Sequence, residues 1–334
     1  MAVDAIGCLR GHHTGRPGAR VNPTSKEPAT EGGGTPEPAA ILGAMNTPVL
    51  AVHGPQTHAG ERPASPLVLD SPHSGFQMPA DFGAALPEAA LREGEDSFID
   101  ALYMPATQRG VPLLAALFPR TYLDPNRHAD DIDQELLSEP WLGPRVDSGK
   151  SRIGKSLIWR TMIDEVPIYT RRLSVAEVQQ RVLRYHAPYH ATLRRLLDAA
   201  HAHFGTVVHI NCHSMGPRTS MAMEGVDGLP RADMVLGDRD GSSCAPHITA
   251  FVRDTLAGFG YSVKVNDPFK GVELVRAFAN PAQGRHSLQL EVNKRLYMHN
   301  DRIETHAGFA GLQAHLMQLL QGLEQQAIAK THHV

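Results

Sequence analysis

Short apolar runs that end in polar turns recur along the chain and predict the strands of a buried sheet. The run at 66–70 breaks at Ser-Pro-His-Ser-Gly, and the β-branched run at 206–214 breaks before a Gly-Pro turn. Catalytic side chains of α/β proteins are often found where such strands end. Further strands are predicted at 111–116, 121–123, 261–265 and 287–292.

Helical periodicity predicts the elements between these strands. The clearest helix spans 174–203, because Ser174 and Glu177 have the spacing of a capping box and an apolar stripe follows at helical spacing. Pro188 lies inside this helix and should bend it. Helices are also predicted at 84–106, about 246–256 and about 301–329.

The order of these elements predicts a single α/β domain. Strands alternate with helices over 65–330 without an internal repeat, which favours a mixed, mostly parallel sheet flanked by helices. Residues 1–64 hold 10 Gly and 8 Pro and show no sustained periodicity, so we expect a disordered extension there. The irregular polar segment 128–167 is expected to be a lid or a binding loop.

The composition narrows the classes of function. With 32 Lys+Arg against 35 Asp+Glu, the net charge of -3 argues against nucleic-acid binding through bulk positive charge. No apolar stretch approaches the roughly 20 residues that cross a bilayer, and the first thirty residues carry no apolar signal core, so we expect a cytoplasmic protein without a membrane partner. Three cysteines are too few for a disulfide framework or a four-thiolate zinc site, but 19 histidines direct attention to metal binding and proton transfer.

Two histidines follow predicted core strands in nearly the same local sequence. His73 lies in Ser-Pro-His-Ser-Gly, and His213 lies in Asn-Cys-His-Ser-Met-Gly. Adjacent parallel strands would bring both imidazoles to one crevice at the carboxyl edge of the sheet, where they can bind one zinc ion. Each histidine could instead only cap its strand with a hydrogen bond, but the repeated pattern favours a metal site.

A catalytic zinc ion usually has three protein ligands and a position for water, so a carboxylate or a third histidine is needed as well. Several carboxylates are candidates, and spacing alone does not choose among them. Asp70 lies on the first strand, and the others lie on the following predicted helix: Glu93, Glu95, Asp96 and Asp100.

Glu291 is a carboxylate inside an apolar segment, Leu-Gln-Leu-Glu-Val. A buried carboxylate needs a partner or has a raised pKa, which is the condition of a general base. Gln289, Glu291 and Asn293 share one face of the predicted strand, and that polar face either lines a site or is exposed to solvent.

Two arginines, two histidines and a cysteine near these segments have alternative interpretations. Arg127 and Arg276 lie at strand or turn ends, where a guanidinium can bind a substrate carboxylate or form an internal ion pair. His186 and His190 have a spacing that can bind zinc, but the glutamate of the metalloprotease helix is absent. His190 can still contribute to the site without binding the metal itself. Cys212 should face away from the site, into the core.

Taken together, these segments resemble the N-formylglutamate amidohydrolase family, also called N-formylglutamate deformylase. The matching segments run in order from about residue 65 to 300, and several together are specific although each alone is weak. They are Ser-Pro-His73-Ser-Gly75, Glu95-Asp96 through Leu102-Tyr103, Asp124-Pro125-Asn126-Arg127, Pro188-Tyr189-His190, Cys212-His213-Ser214, Asn266-Asp267-Pro268-Phe269-Lys270-Gly271, Gln283-Gly284-Arg285-His286 and Gln289-Leu290-Glu291.

The resemblance implies a fold and a set of site residues. The fold is an α/β fold like that of the zinc carboxypeptidases (phosphorylase/hydrolase-like), with the metal at one edge of a mixed sheet. The resemblance implies His73, Asp96 and His213 as ligands of one zinc ion, and Glu291 as the base that activates the attacking water. Arg127 is implied in catalysis as well as in binding, and the implied contacts to the substrate are Asn126, Arg127, Arg276 and His286.

Two positions depart from related sequences. The family usually has leucine where this chain has Pro125, which removes a backbone donor beside the implied substrate contacts. Carboxypeptidases carry a glutamate three residues after the first histidine, where this chain has Phe76. The residue at 76 favours the deacylase side of the superfamily.

The activity that the resemblance implies is zinc-dependent hydrolysis of a linear amide, from N-formyl-L-glutamate to formate and L-glutamate, as a step of histidine degradation. A small dicarboxylate substrate would explain the arginines. One alternative is a related zinc deacylase or amidase that acts on another N-acyl amino acid. The residues that change the substrate specificity would then lie in the 128–167 loop. The other is a non-catalytic metal-binding protein that retains the fold.

Overall fold

A seven-stranded mixed sheet is the centre of the fold in the computed structural model, which describes residues 47–55, 62–162 and 165–331. The strands are β1 (Leu50–His53), β2 (Leu67–Ser71), β3 (Leu113–Ala116), β4 (Val207–Met215), β5 (Met234–Gly237), β6 (Val263–Val265) and β7 (Arg285–Asn293). Their order across the sheet is β1-β3-β2-β4-β7-β5-β6. The four central strands β3, β2, β4 and β7 are parallel, and their neighbours β1 and β5 are antiparallel to them.

Helices cover both faces of this sheet. They are α1 (Glu88–Leu91), α2 (Ile99–Tyr103), α3 (Val175–Arg181), α4 (Ala187–Phe204), α5 (Met221–Glu224), α6 (Pro246–Gly258), α7 (Glu273–Phe278) and α8 (Gly308–Thr331). One face packs against α4, and the other packs against α2, α6 and α8. This architecture confirms the predicted mixed, mostly parallel sheet flanked by helices. No helix in the described part of the chain combines the length and the apolar composition that a membrane span requires.

Strand β4 separates the apolar core from the polar side of the sheet. All 9 residues of this strand are buried. Cys212 packs in the apolar cluster between the sheet, α6 and α8, as predicted from its position. Because side chains alternate along a strand, His209, Asn211 and His213 all lie on the opposite face, toward α4.

The predicted helix at 174–203 is present but consists of three parts. The Ser174 hydroxyl accepts a hydrogen bond from Glu177 N at 3.2 Å, and the Glu177 carboxylate accepts one from Ser174 N at 2.8 Å, so the predicted capping box is confirmed. A π-helical turn, Val182–His186, separates α3 from α4. Pro188 lies in the first turn of α4, where proline is tolerated, so the chain accommodates it through this change of helix type.

Two predicted elements are wrong. The segment 84–106 is not one helix but contains α1 and α2, and the left-handed backbone of Phe98 (φ 64°) interrupts it immediately before α2. The segment 121–123 is a turn rather than a strand. Its backbone forms hydrogen bonds with other groups instead of with a neighbouring strand. The Tyr122 carbonyl oxygen, for example, accepts a hydrogen bond from Arg181 Nη1 at 3.1 Å.

The sequence analysis missed β1 and β5, which have four residues each. β1 pairs with β3 in the antiparallel direction. Part of the sheet thus precedes residue 65, the expected start of the domain. The remainder of the expected extension, at 1–46 and 56–61, lies outside the described residues.

Candidate metal centre and active site

The residues implied as metal ligands meet at the carboxyl ends of β2 and β4, which are parallel neighbours. His73 follows the end of β2, and His213 lies near the end of β4. Asp96 lies between them, with Oδ2 at 3.3 Å from His73 Nδ1 and at 3.0 Å from His213 Nδ1. All three residues are buried, and one ligand atom from each lies within 4.8 Å of the others. The structure therefore brings the three residues together in one cluster.

The outer nitrogen of each histidine is bound to an oxygen acceptor. His73 Nε2 is 2.7 Å from Asp124 Oδ1, and His213 Nε2 is 2.8 Å from Asn211 Oδ1. A hydrogen on each Nε2 satisfies both contacts and leaves a lone pair on each Nδ1. Two imidazole lone pairs and a carboxylate oxygen then share one small volume. This donor set could hold a metal ion, and its histidines are already oriented.

Asp96 is held in place by both backbone and side-chain contacts. Its N–H donates to the His73 carbonyl oxygen at 3.0 Å, and Ser214 Oγ donates to its Oδ1 at 3.2 Å. Burial disfavours the charged form, but the adjacent imidazoles of His213 and His73 lower the pKa of the Asp96 carboxyl well below its usual value. The carboxylate is therefore charged at neutral pH, as a metal ligand must be.

The other carboxylates that spacing left open lie outside this cluster. Asp70 is bound inside the sheet. Glu95 forms a salt bridge with a neighbouring arginine at 2.8 Å, and Glu93 is exposed. The Asp100 carboxylate accepts a hydrogen bond from the backbone N–H of the next residue at 2.8 Å. The break in the predicted helix before α2 is what turns Asp96, rather than these residues, toward the histidines.

Glu291 lies beside the cluster, on β7, opposite His213 in the strand register. It is 7% exposed, and its Oε1 accepts a hydrogen bond from Gln289 Nε2 at 2.8 Å. Burial and the negative charge of Asp96 raise the pKa of the Glu291 carboxyl well above its usual value, although two nearby arginines act in the opposite direction. The polar face of β7 is therefore buried at the site rather than exposed to solvent. A buried carboxylate with a raised pKa at this position has the properties of a general base.

Arg120 connects the acidic groups of the site. Its Nη2 donates to Asp124 Oδ2 at 2.8 Å, and its Nε is buried without a hydrogen-bond partner among the described residues. Burial opposes the charge of the guanidinium, but the carboxylates of Asp124, Asp96 and Glu291 raise the pKa of Arg120. The positive charge of Arg120 thus acts on the cluster and on the candidate base together.

Asn126 and Arg127, both implied as substrate contacts, lie in a loop that touches the cluster. The Asn126 amide nitrogen is 3.1 Å from His213 Nε2, and its amide oxygen accepts a hydrogen bond from Leu274 N at 2.9 Å. The buried Arg127 guanidinium donates to the carbonyl oxygens of Lys155 and Asn126, at 3.1 Å each. Within the described ranges its Nη2 makes no hydrogen bond, which leaves this nitrogen for a ligand.

Two other residues implied as substrate contacts are placed differently. Arg276 lies on α7, and its guanidinium forms two hydrogen bonds of 2.7 Å with the Glu273 carboxylate, which is the internal ion pair that the sequence left open. His286 lies near the start of β7, and the five-residue separation from Glu291 is about 17 Å along a strand. In the strand register His286 is paired with Val208, whose side chain packs in the apolar cluster on the other face of the sheet. The structure therefore does not bring His286 to the site.

The acceptors behind the histidines are candidate site residues that the sequence analysis missed. Asp124 belongs to a segment that the family resemblance marks, but only the folded loop shows that it binds His73. Asn211 precedes His213 by two positions on the same strand face, and this alternation is the signal that could have identified it. Arg120 carries no such signal, because its partner lies in irregular structure.

His186 and His190 support the loop that carries Asn126 and Arg127. Their rings are stacked, with centroids 3.9 Å apart. His186 Nε2 is 2.9 Å from the Arg127 carbonyl oxygen, and His190 Nε2 is 2.8 Å from the Pro125 carbonyl oxygen. Burial lowers the pKa of both imidazoles, that of His190 to about 4. Both rings are therefore neutral at pH 7 and donate through Nε2 to the backbone on either side of Asn126.

Comparisons with known proteins identify relatives of this chain. A family model described as N-formylglutamate amidohydrolase matches residues 65–298. The N-formylglutamate deformylase of Pseudomonas aeruginosa is 31% identical over 239 residues, which are 70% of this chain and 82% of that protein. The N-formylglutamate deformylase of Pseudomonas putida is 30% identical over 237 residues, which are 70% of this chain and 82% of that protein.

Solved structures share the fold. The crystal structure of N-formylglutamate amidohydrolase from Ralstonia eutropha JMP134 matches with a TM-score of 0.74 and 43% identity, and the match covers 85% of this chain and 98% of that one. A gene product of Agrobacterium tumefaciens matches with a TM-score of 0.58 and 17% identity over 86% of this chain and 96% of that one. At that identity the second match is evidence for the fold alone.

Proposed function

The chain belongs to the N-formylglutamate amidohydrolase family, and we propose that it hydrolyses N-formyl-L-glutamate to formate and L-glutamate. The observation that carries the proposal is the convergence of His73, Asp96 and His213 beside the buried carboxylate of Glu291. This arrangement supplies a place for a metal ion with a base next to it. The names of the two curated relatives support the substrate. The reaction would be the last step of one route of histidine degradation.

One Zn2+ ion fits the donor set of the cluster. His73 and His213 would hold the ion through Nδ1, and Asp96 would hold it through a carboxylate oxygen, which is the usual number of protein ligands of a catalytic zinc. The acceptors on both outer ring nitrogens support this assignment, because metal-binding histidines nearly always donate their other N–H. When bound, the ion polarises a carbonyl oxygen and lowers the pKa of a water molecule.

Glu291 is the proposed general base. Gln289 occupies its Oε1, so proton transfer would take place at Oε2. The carboxylate would take one proton from the attacking water while the hydroxyl of the water adds to the formyl carbon. It would then return the proton to the nitrogen as the bond between the formyl carbon and that nitrogen breaks, which releases formate and L-glutamate. The raised pKa of Glu291 favours the first of these transfers.

The charges around the site suit a substrate with two carboxylates. Arg127 Nη2 and the Asn126 amide would contact a carboxylate or the developing oxyanion. Burial and repulsion from Arg127 and Arg120 lower the pKa of Lys150, so this ammonium also lies in the field of both arginines. Arg276 would contribute only if the substrate replaced Glu273 as its partner. Fixed positive charge of this kind favours an anionic ligand over a neutral one.

A comparison of substrates tests the proposal. We expect kcat/KM to be highest for N-formyl-L-glutamate, lower for N-formyl-L-glutamine, which lacks the side-chain charge, and lower for N-acetyl-L-glutamate, which has a larger acyl group. Equal or faster release of acetate from N-acetyl-L-glutamate would identify another deacylase of this fold. Zinc-loaded protein that hydrolyses none of these substrates would favour a binding protein.

A further inference from the structure

A buried hydrogen-bond network lies next to the metal centre, on the face of the sheet that packs against α4. The Asp70 carboxylate is 2.7 Å from Tyr189 Oη, 2.7 Å from His209 Nε2 and 2.8 Å from Asn211 Nδ2. His209 Nδ1 is in turn 2.6 Å from Ser287 Oγ. None of these five residues is more than 1% exposed. Four of their side chains come from adjacent parallel strands, so the network spans the middle of the sheet.

A buried carboxylate is costly unless its charge is compensated by hydrogen bonds. Burial opposes the ionisation of Asp70, but His209 together with hydrogen bonds from Asn211 and Tyr189 lowers the pKa of this carboxyl. Asp70 is therefore ionised at neutral pH and acts only as an acceptor. Every group that contacts it must present a hydrogen.

This requirement fixes the orientation of the Asn211 amide. The amide nitrogen must face Asp70, so the amide oxygen faces His213 Nε2 at 2.8 Å. Two acceptors at that distance would repel each other, so the Asn211 contact favours a hydrogen on Nε2. Asp96 Oδ2, 3.0 Å from Nδ1, favours a hydrogen on the other nitrogen of the ring, so the contact with Asn211 is what keeps Nε2 protonated. The Asn126 amide nitrogen is 3.1 Å from the same Nε2, but it has the Asn211 oxygen as an acceptor at 3.5 Å.

We propose that Asp70 and Asn211 are positioning residues that set the tautomer of His213, with the hydrogen on Nε2 and the lone pair on Nδ1 toward the cluster. The proposal rests on the proposed function, because a lone pair on Nδ1 is what a metal ligand requires. His73 reaches the same tautomer by a shorter route, through its direct contact with Asp124. Asn211 is the member of the network that transmits the charge of Asp70 to the site.

The tautomer of His213 in the metal-free protein is the first readout. Nitrogen NMR of protein labelled with 15N-histidine distinguishes protonated from unprotonated ring nitrogens, and the His213 signals are those lost in His213→Gln. We expect the hydrogen on Nε2 in the wild-type protein and a shift of the hydrogen to Nδ1 in Asn211→Leu, which removes the acceptor. An Nε2 without a hydrogen in the wild-type protein would overturn the proposal, and this measurement decides it even if Asn211→Leu does not fold.

The affinity for Zn2+, titrated against a chromophoric chelator, is the second readout. We expect Asn211→Leu to weaken Zn2+ binding about 10–100-fold, as for other partners of metal-binding histidines. Tyr189→Phe is the matched control, because it removes a hydrogen bond from Asp70 but leaves Asn211 in place. This control should lower the urea midpoint and keep the wild-type affinity for Zn2+.

Equal weakening of Zn2+ binding in Asn211→Leu and Tyr189→Phe would overturn the proposal, because it would indicate a general loosening of the core. Failure of the proposed function would give a different experimental result. Wild-type protein that binds no Zn2+ would contradict the metal site, and the tautomer measured in the metal-free protein would still decide the role of Asp70 and Asn211.

Discussion

The two histidines of the candidate metal centre present the same ring nitrogen, Nδ1, to Asp96, because an acceptor holds each outer nitrogen. Asp124 holds His73, and Asn211 holds His213. Other residues hold both acceptors in place. Asp124 forms a salt bridge with Arg120 at 2.8 Å, and Asn211 donates a hydrogen bond to Asp70 at 2.8 Å. Ligands whose rotamers and tautomers are set before the metal arrives are pre-organised for binding.

Replacing Glu291 by glutamine tests the proposed base without changing the shape of the side chain. We expect kcat for N-formyl-L-glutamate to fall about 10²–10⁴-fold, the usual contribution of a general base. The zinc content should stay the same, because Glu291 is not part of the ligand cluster. Turnover by Glu291→Gln at the wild-type rate would exclude this residue as the base, and loss of zinc together with activity would place it among the ligands.

The same substitution should stabilise the metal-free protein at neutral pH. The pKa of Glu291 is raised in the folded state, so its contribution to stability is fully present below the usual glutamate pKa and is lost as the pH rises through the folded-state value. Glutamine has no charge to bury, and we expect Glu291→Gln to gain about 1 kcal/mol at pH 7. Urea unfolding of both metal-free proteins measures this gain, which should disappear below the usual glutamate pKa of about 4.3. A wild-type protein that is more stable than the variant at pH 7 would contradict the raised pKa.

Several site residues could be found from the sequence because their positions are informative on their own. His73 and His213 follow apolar strands, and Glu291 interrupts one. Asp96 was accessible only through the family resemblance, because its direction depends on a left-handed residue two positions later. Asp124 meets His73 across 51 residues of chain, a contact that spacing does not reveal.

The π-helical turn before α4 places two histidines against the loop that carries Asn126 and Arg127. It brings His186 and His190 into a stack whose N–H groups meet the carbonyl oxygens of Arg127 and Pro125. Single π turns inside α-helices are often found at functional sites. The loop that carries Asn126 is thus bound to α4 on one side and to the metal centre on the other.

Replacing His190 by phenylalanine should loosen this loop. The aromatic ring keeps the stack with His186, but the hydrogen bond to the Pro125 carbonyl is lost. We expect kcat/KM for N-formyl-L-glutamate to fall by about an order of magnitude, because small displacements of positioning groups are costly in catalysis. The zinc content should not change, since the ligand cluster is elsewhere.

His201→Phe is the matched control for His190→Phe. His201 lies on the same helix, and its Nε2 is 2.7 Å from a backbone carbonyl oxygen, that of Gln283, far from the metal centre. The control should retain the wild-type kcat/KM. A similar loss in both variants would mean that α4 acts through stability alone and not through the loop.

Elements were predictable from the sequence where an apolar run or a helical period stood out between polar turns. The helix at α6 and the strand at β4 lie within two residues of their predicted bounds. The predictions failed at β1 and β5, which have four residues each, and at 84–106, where helical composition conceals a change of direction. In these places tertiary pairing and backbone geometry decide the structure, and single-segment patterns do not report them.

The parallel centre of the sheet determines where the site lies in the whole molecule. β2, β4 and β7 end at the same edge, and they bring His73, His213 and the candidate base Glu291 to it, where Asp96 joins them from the segment before α2. The α/β fold class follows from the alternation of helices and strands, so it could be predicted before any contact was known. The pairing order β2-β4-β7 joins segments far apart in the chain, and the sequence alone did not fix it.

Removing the metal should lower the stability of the whole protein. A ligand that binds only the folded state stabilises it by about 4 kcal/mol at a free concentration 1,000 times its Kd. We therefore expect Tm to rise when Zn2+ is added to metal-free protein and to fall again with a chelator. His213→Gln, which removes one implied ligand, should show little of this Zn2+-dependent change. An equal rise in Tm in the variant would indicate that Zn2+ binds elsewhere.

Release of formate from N-formyl-L-glutamate, with and without a chelator, tests the central claim most directly. We expect purified protein to release formate and L-glutamate in equal amounts, to stop after chelation and to resume when Zn2+ is returned. Release that continues at the same rate in metal-free protein would contradict the assignment of His73, Asp96 and His213 as the ligands of a catalytic metal.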